Sequence, residues 1–127
     1  AIASHMAADY QKNGGFPTLC FNDAALLTCV SNDLGYENSF MEPLQKHMRF
    51  GDVLFAVSSS GMSPNILRAA NYARVNHGNV VTLSGFDPDN DLRKIGGVNF
   101  YVPARSYGTV EIAHLAILHS LLDETMK

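Results

Sequence analysis

The chain has 127 residues, enough for one small domain, and 46% of them are hydrophobic against 17% charged, which excludes a disordered tail, a collagen-like repeat and a highly charged scaffold. Nine Lys and Arg against 12 Asp and Glu give a net charge of −3 with the basic residues scattered, so there is no electrostatic footprint for nucleic acid or an anionic membrane. The longest apolar stretches, Ile112-Ala113 and Leu115–Leu118 around His114, fall far short of the ~20 residues a membrane helix needs.

In chain order, the pattern opens with a helix over roughly 1–13 that has no initiator Met or capping residue before it, so 127 residues reads as a lower bound on the natural length. Thr18-Leu19-Cys20-Phe21 is strand-like. Helical patterns over roughly 23–34 and 37–48 follow, then the clearer strand Val53-Leu54-Phe55-Ala56-Val57. Ser63-Pro64 is a helix start, with Ser at the N-cap and Pro at the first helical position, and the helix over 64–77 ends where Gly78 takes a left-handed conformation at low cost. Val80-Val81-Thr82-Leu83 and Val98-Asn99-Phe100-Tyr101-Val102 are further strands, and a helix over roughly 108–126 closes the chain. The runs are continuous rather than alternating, which suits strands covered on both faces. Strand and helix in alternation imply a parallel sheet with crossover helices, in one domain spanning 1–127. Cys20 and Cys29 lie among apolar neighbours outside any C-x-x-C pair, and read as buried free thiols of a reducing cytoplasm.

In parallel sheets ligands bind outside the carboxyl ends of the strands, so the strand-to-helix loops should carry the chemistry. The most informative is Ser58-Ser59-Ser60-Gly61-Met62-Ser63, which runs from a buried strand into a helix N-terminus. Hydroxyls, free backbone N–H groups and the positive end of a helix dipole converge there, as a phosphate dianion requires. The Walker lysine pattern and the G-x-G-x-x-G fingerprint are both missing, which points to a monophosphate ester and to no nucleotide or redox cofactor. A serine-rich loop that only caps a helix is the alternative.

The segment Gly51 to Leu67, with Val-Ser-Ser-Ser-Gly-Met-Ser-Pro at its centre, resembles the core of the sugar isomerase (SIS) domain. Asn22-Asp23, Asn32-Asp33-Leu34-Gly35-Tyr36-Glu37, Thr82-Leu83-Ser84-Gly85 and the last helix extend the likeness over essentially the whole chain, toward the phosphoheptose isomerases. The resemblance implies a three-layer α/β sandwich, a parallel sheet flanked by helices. Its opening helix and first strand, with a Gly-Asn-Gly-Gly-Ser loop, lie outside this chain. It also implies that Ser58, Ser59, Ser60 and Ser63 hold the phosphate and that Asn22 and Asp23 meet sugar hydroxyls.

His5 and Asp9 are four apart on a helix and share a face, while Glu111 and His119 are eight apart on the last helix and can flank a common volume. The family carries His, Glu, Gln and His at these four positions, and in some members they bind zinc. The set His5, Asp9, Glu111 and His119 is a competent N/O ligand group for one such ion, though the Asp in place of Glu draws its oxygens back by a methylene. The resemblance assigns acid–base catalysis to Asp9 and His119, with His119 at the carbon-bound proton and Asp9 at the oxygens, or the reverse. The reaction implied is sedoheptulose 7-phosphate to D-glycero-D-manno-heptose 7-phosphate, an entry to lipopolysaccharide heptose, in a cytoplasmic homotetramer with sites between subunits where first and last helices of different chains meet. Where the family has an Asp just before the Arg-Ile-Gln stretch of the last helix, this chain has Gly108-Thr109-Val110-Glu111, which loosens the identity of the sugar. The other class is a non-catalytic SIS module that binds a sugar phosphate or a protein such as a replication initiator. His114 reads equally as a packed or a site histidine, and His47 and His77 as helix-end residues without function.

Overall fold

The structure, a computed structural model, describes residues 1–76 and 78–127. Among them the order is α1 (Ile2–Lys12), α2 (Ala24–Leu34), a single 3-10 turn (Tyr36–Asn38), α3 (Met41–His47), β1 (Leu54–Val57), α4 (Pro64–Asn76), β2 (Val80–Ser84), α5 (Asp91–Ile95), β3 (Val98–Tyr101) and α6 (Tyr107–Thr125). The three strands form one parallel sheet in the order β1-β2-β3, with Leu54 opposite Val80 and Val81 opposite Val98.

Strand side chains alternate between two apolar layers. Leu54, Ala56 and Val80 pack with Leu44, Ala69, Ala70, Ala73 and Leu92 of α3, α4 and α5. On the opposite face Val57, Leu83 and Phe100 pack with Met6 of α1 and with Leu118 and Leu122 of α6. Helices on both faces explain why the strands read as unbroken apolar runs. The expected three-layer sandwich is therefore what forms.

Local chemistry explains most boundaries. The Asp23 carboxylate caps α2 by accepting from Leu26 N at 2.9 Å, and Gly78, at φ +86°, receives the end of α4. The continuous helix expected over 37–48 is broken. It would put Pro43 in an interior turn, without an N–H and against the carbonyl of Ser39; instead the chain makes a 3-10 turn and restarts at Met41, with Pro43 in the first turn of α3. The strand expected at Thr18–Phe21 does not form. That segment makes no ladder with β1, the Thr18 hydroxyl bonds back to Phe16 O at 3.0 Å, and the Phe21 ring packs toward His47 instead. Strand-like composition needs a neighbouring strand to pair with, and β1 is paired only with β2 among the described residues. Helix α5 was not expected; its Asn90 cap is followed by only five helical residues before Gly96, too few to show a period. The thiols are not buried as expected: Cys20 is half-buried and Cys29 lies exposed on the outer face of α2. His77 falls outside the described residues.

Candidate functional site

Helix α6 starts beyond the carboxyl end of β3 and runs back along the sheet. Its buried residues Val110, His114, Leu118 and Leu122, four apart, form the stripe that seats it. Helix α1 lies beside it, and Met6 joins Leu118 and Leu122 over Leu83. This packing puts His5 and Asp9, which flank Met6, next to His119, which follows Leu118. Asp9 Oδ2 is 3.2 Å from His5 Nε2 and 3.9 Å from His119 Nδ1. The two imidazoles meet edge to face at 5.3 Å. The Asp9 side chain is 26% exposed, so one carboxylate sits between two imidazoles with access to solvent. The first and last helices of one chain meet in this way.

The donor atoms of His5, Asp9 and His119 all lie within 4.8 Å of one another. A tetrahedral zinc with bonds of about 2.0–2.2 Å separates its ligand atoms by roughly 3.3–3.6 Å. The His5–Asp9 spacing of 3.2 Å matches this and the His119–Asp9 spacing of 3.9 Å is wider, so the three could hold one divalent ion after a small inward movement of His119. Glu111 is not in this group. Eight residues on α6 correspond to a rise of about 12 Å, which keeps the exposed Glu111 beside Val110 near the loop end of the helix. Of the four expected ligands, the structure brings together three.

The serine loop stands at the carboxyl end of β1. Ser58 is buried and donates to the Ser63 hydroxyl at 3.1 Å, Gly61 N donates to Ser58 O at 3.1 Å, and Met62 N donates to the Ser60 hydroxyl at 3.2 Å. Ser63 occupies the N-cap position, since its carbonyl accepts from Leu67 N at 3.0 Å, yet its hydroxyl is turned to Ser58 and makes no cap bond among the described residues. The backbone N–H groups of Ser59, Ser60 and Ser63 have no acceptor among the described residues. Three undirected amides, several hydroxyls and the N-terminus of the 13-residue α4 make an anion cradle.

Asn22 and Asp23 lie between α1 and α2. Asn22 Nδ2 donates to the Ser4 hydroxyl at 2.8 Å, one residue from His5, whereas one oxygen of Asp23 is engaged in capping α2. The structure thus puts Asn22 near the His5 side of the cluster and gives Asp23 a structural task. His114 is fully buried and donates from Nε2 to Ser84 O at 3.1 Å. Burial pushes its pKa below the ordinary 6.5, against the opposing pull of the Ser84 carbonyl and the Glu111 carboxylate. Asn90, 2% exposed and central to the loops at the strand ends, was not foreseen; only its position before Asp91, as a cap, could have flagged it.

A family model described as the SIS domain matches residues 5–85. The chain is 34% identical over 123 residues, 95% of its length, to the phosphoheptose isomerases of Klebsiella pneumoniae and of Photorhabdus laumondii, and it spans 63% of the length of these curated relatives. Among solved structures, that of a phosphoheptose isomerase from Francisella tularensis superposes with a TM-score of 0.88 at 25% identity, covering 98% of this chain and 68% of that one. The phosphoheptose isomerase structure from Neisseria gonorrhoeae gives 0.86 at 26% identity, covering 97% and 68%.

Proposed function

Because the chain belongs to the SIS domain family, we propose that it carries the acid–base and phosphate-binding parts of a phosphoheptose isomerase, interconverting sedoheptulose 7-phosphate and D-glycero-D-manno-heptose 7-phosphate. The observation that carries this reading is Asp9 held between His5 and His119 on the same small domain as the serine cradle.

An aldose–ketose isomerase moves one proton between C1 and C2 and another between their oxygens, through an enediol(ate). The His119 Nδ1 faces Asp9, and its Nε2 has no partner among the described residues and is the base for the carbon-bound proton. Asp9, partly open to solvent, exchanges protons with O1 and O2, and Asn22 meets the sugar hydroxyls. Ser58, Ser59, Ser60 and Ser63 hold the phosphate, with Asp23 fixing the start of α2 beside Asn22. A divalent ion such as zinc, held by His5, Asp9 and His119, would polarise the sugar oxygens when bound.

The same reading extends to a homotetramer and to a cytoplasmic role in supplying heptose for lipopolysaccharide or other surface glycans. Helix α6 supports a contact between copies: besides its buried stripe it shows Ile112, 71% exposed, on another side. Among the described residues, no helix is long and apolar enough to cross a membrane.

The test is a coupled isomerisation assay with sedoheptulose 7-phosphate on the full-length protein, with zinc and with a chelator. His119→Ala should abolish turnover with the fold intact. Undiminished turnover in His119→Ala refutes the assignment, and tight sugar-phosphate binding without turnover in the wild type would make the chain a binding module.

A further inference from the structure

The serine loop is held from outside as well as by its own hydrogen bonds. Gly61, at its apex, is left-handed with φ +67°, and its outward carbonyl accepts from Leu92 N at 3.0 Å. The Ser59 carbonyl accepts from Gly85 N at 2.9 Å. Gly85 lies in the loop between β2 and α5 and Leu92 in the first turn of α5, and one buried side chain ties that region together. Asn90 Nδ2 donates to Asp87 O at 2.8 Å, to the Ser84 hydroxyl at 3.1 Å and to Gly85 O at 3.3 Å, while Oδ1 accepts from Arg93 N at 3.2 Å. Two carbonyl acceptors on one side and an N–H donor on the other fix which end is the amine. The same carboxamide lies directly against Gly61 Cα, filling the space a Cβ would need.

The turn so held is under strain. Phe86 has φ +62°, an uncommon conformation for a bulky side chain, and it is kept there by its N–H to Ala104 O at 2.9 Å, by Tyr101 Oη donating to its carbonyl at 3.0 Å and by the Tyr107 ring at 4.8 Å. From the other side His114 of α6 donates to Ser84 O. The turn Ser84-Gly85-Phe86 is therefore over-determined, and what it presents outward is the Gly85 amide that holds the serine loop.

We propose that Asn90 is the positioning residue of the phosphate loop: it sets the Ser84-Gly85 turn and the seat of Gly61, and so fixes the direction of the loop's free amides without touching the ligand itself. The inference rests on the phosphate-binding reading of Ser58–Ser63. In that reading Asn90 determines affinity for the phosphate end of the substrate and leaves the acid–base step at Asp9 and His119 unaffected.

Asn90→Ser keeps a residue competent to cap α5 but removes the reach of the amine. In the full-length protein it should raise KM for sedoheptulose 7-phosphate about tenfold, with kcat within about threefold. It should also speed hydrogen exchange at Ser58, Gly61 and Met62, the hydrogen-bonded amides of residues 58–63, in the ligand-free protein. Ile95→Ala, a core truncation in the same helix, should lower Tm without either effect. Unchanged KM and exchange in Asn90→Ser overturn the proposal, as does an equal change of both in Ile95→Ala. If Asn90→Ser does not fold, Ser84→Ala decides: faster exchange in 58–63 supports the role and unchanged exchange refutes it. Wild-type protein that neither binds nor converts the sugar phosphate would refute the phosphate reading, while the ligand-free exchange comparison still decides the positioning role.

Discussion

Replacing Gly61 by Ala separates backbone strain from the contact with Asn90. An L residue at φ +67° costs about 1–2 kcal/mol by conformation alone. The added methyl would also overlap Oδ1, Cγ and Cβ of Asn90, a side chain fixed by hydrogen bonds at both ends, so it must displace the carboxamide and loosen that network. Losing the equivalent of two or three buried hydrogen bonds adds about 2–3 kcal/mol. The sum, about 3–5 kcal/mol, corresponds to a fall in Tm of roughly 10 °C or more for a domain of this size. Gly51 supplies the comparison: it has φ +92°, with nothing within 4 Å of the place a methyl would occupy, so Gly51→Ala should carry the conformational cost alone. Thermal denaturation of both variants by circular dichroism at one pH gives the difference directly. Equal losses of stability in the two variants would refute the account of Asn90 packed on the loop apex.

Three other outcomes follow from the site. Asp9→Asn keeps the shape between the two imidazoles but removes the carboxylate that exchanges protons with O1 and O2, and should lower kcat by about a hundredfold or more with little change in Tm, because the side chain is partly exposed; a kcat within about threefold of wild type would count against it. Ser63→Ala leaves the buried Ser58 hydroxyl without its acceptor and removes a cradle hydroxyl, so KM for the sugar phosphate should rise several-fold, about 1 kcal/mol, as read in steady-state kinetics. The lowered pKa of His114 makes the unfolded chain bind more protons than the folded one between the ordinary 6.5 and the lower folded value. Stability is thus fully present above about pH 6.5 and is lost as pH falls through that window, and His114→Gln should flatten this limb in a series of Tm measurements. An unaltered acid limb in the variant would assign it to other groups.

The architecture was legible because it depends on short-range rules. Apolar runs at β1, β2 and β3, the Ser63-Pro64 start of α4 and the Gly78 stop each act within a few residues and fall where they were read, although the Ser63 hydroxyl turns to Ser58 instead of capping. Where a longer-range condition enters, the reading departs from the structure. Thr18–Phe21 has strand composition but no strand to pair with, and Cys29 has apolar neighbours in sequence but lies on the outer face of α2. Helix 37–48 failed on a local rule that was available, since Pro43 could not sit in its interior.

The site divides in the same way. Spacing on one helix identified His5 with Asp9, because residues four apart share a face in any α-helix. The serine cradle was visible because its donors are consecutive in the chain. Only the packing of α1 against α6 over Leu83 decided that His119 joins them and that Glu111, two turns away, does not. The roles of His114 and the strained Phe86 depend on partners supplied by other segments, and Asn90, which bonds within its own loop, showed in the sequence only as a possible cap before Asp91. The sequence by itself determined which chemistry is present and on which elements. The tertiary structure decided which groups meet and what holds them, because hydrogen bonds and ligand geometry depend on ångström-scale distances between segments that local propensity does not specify.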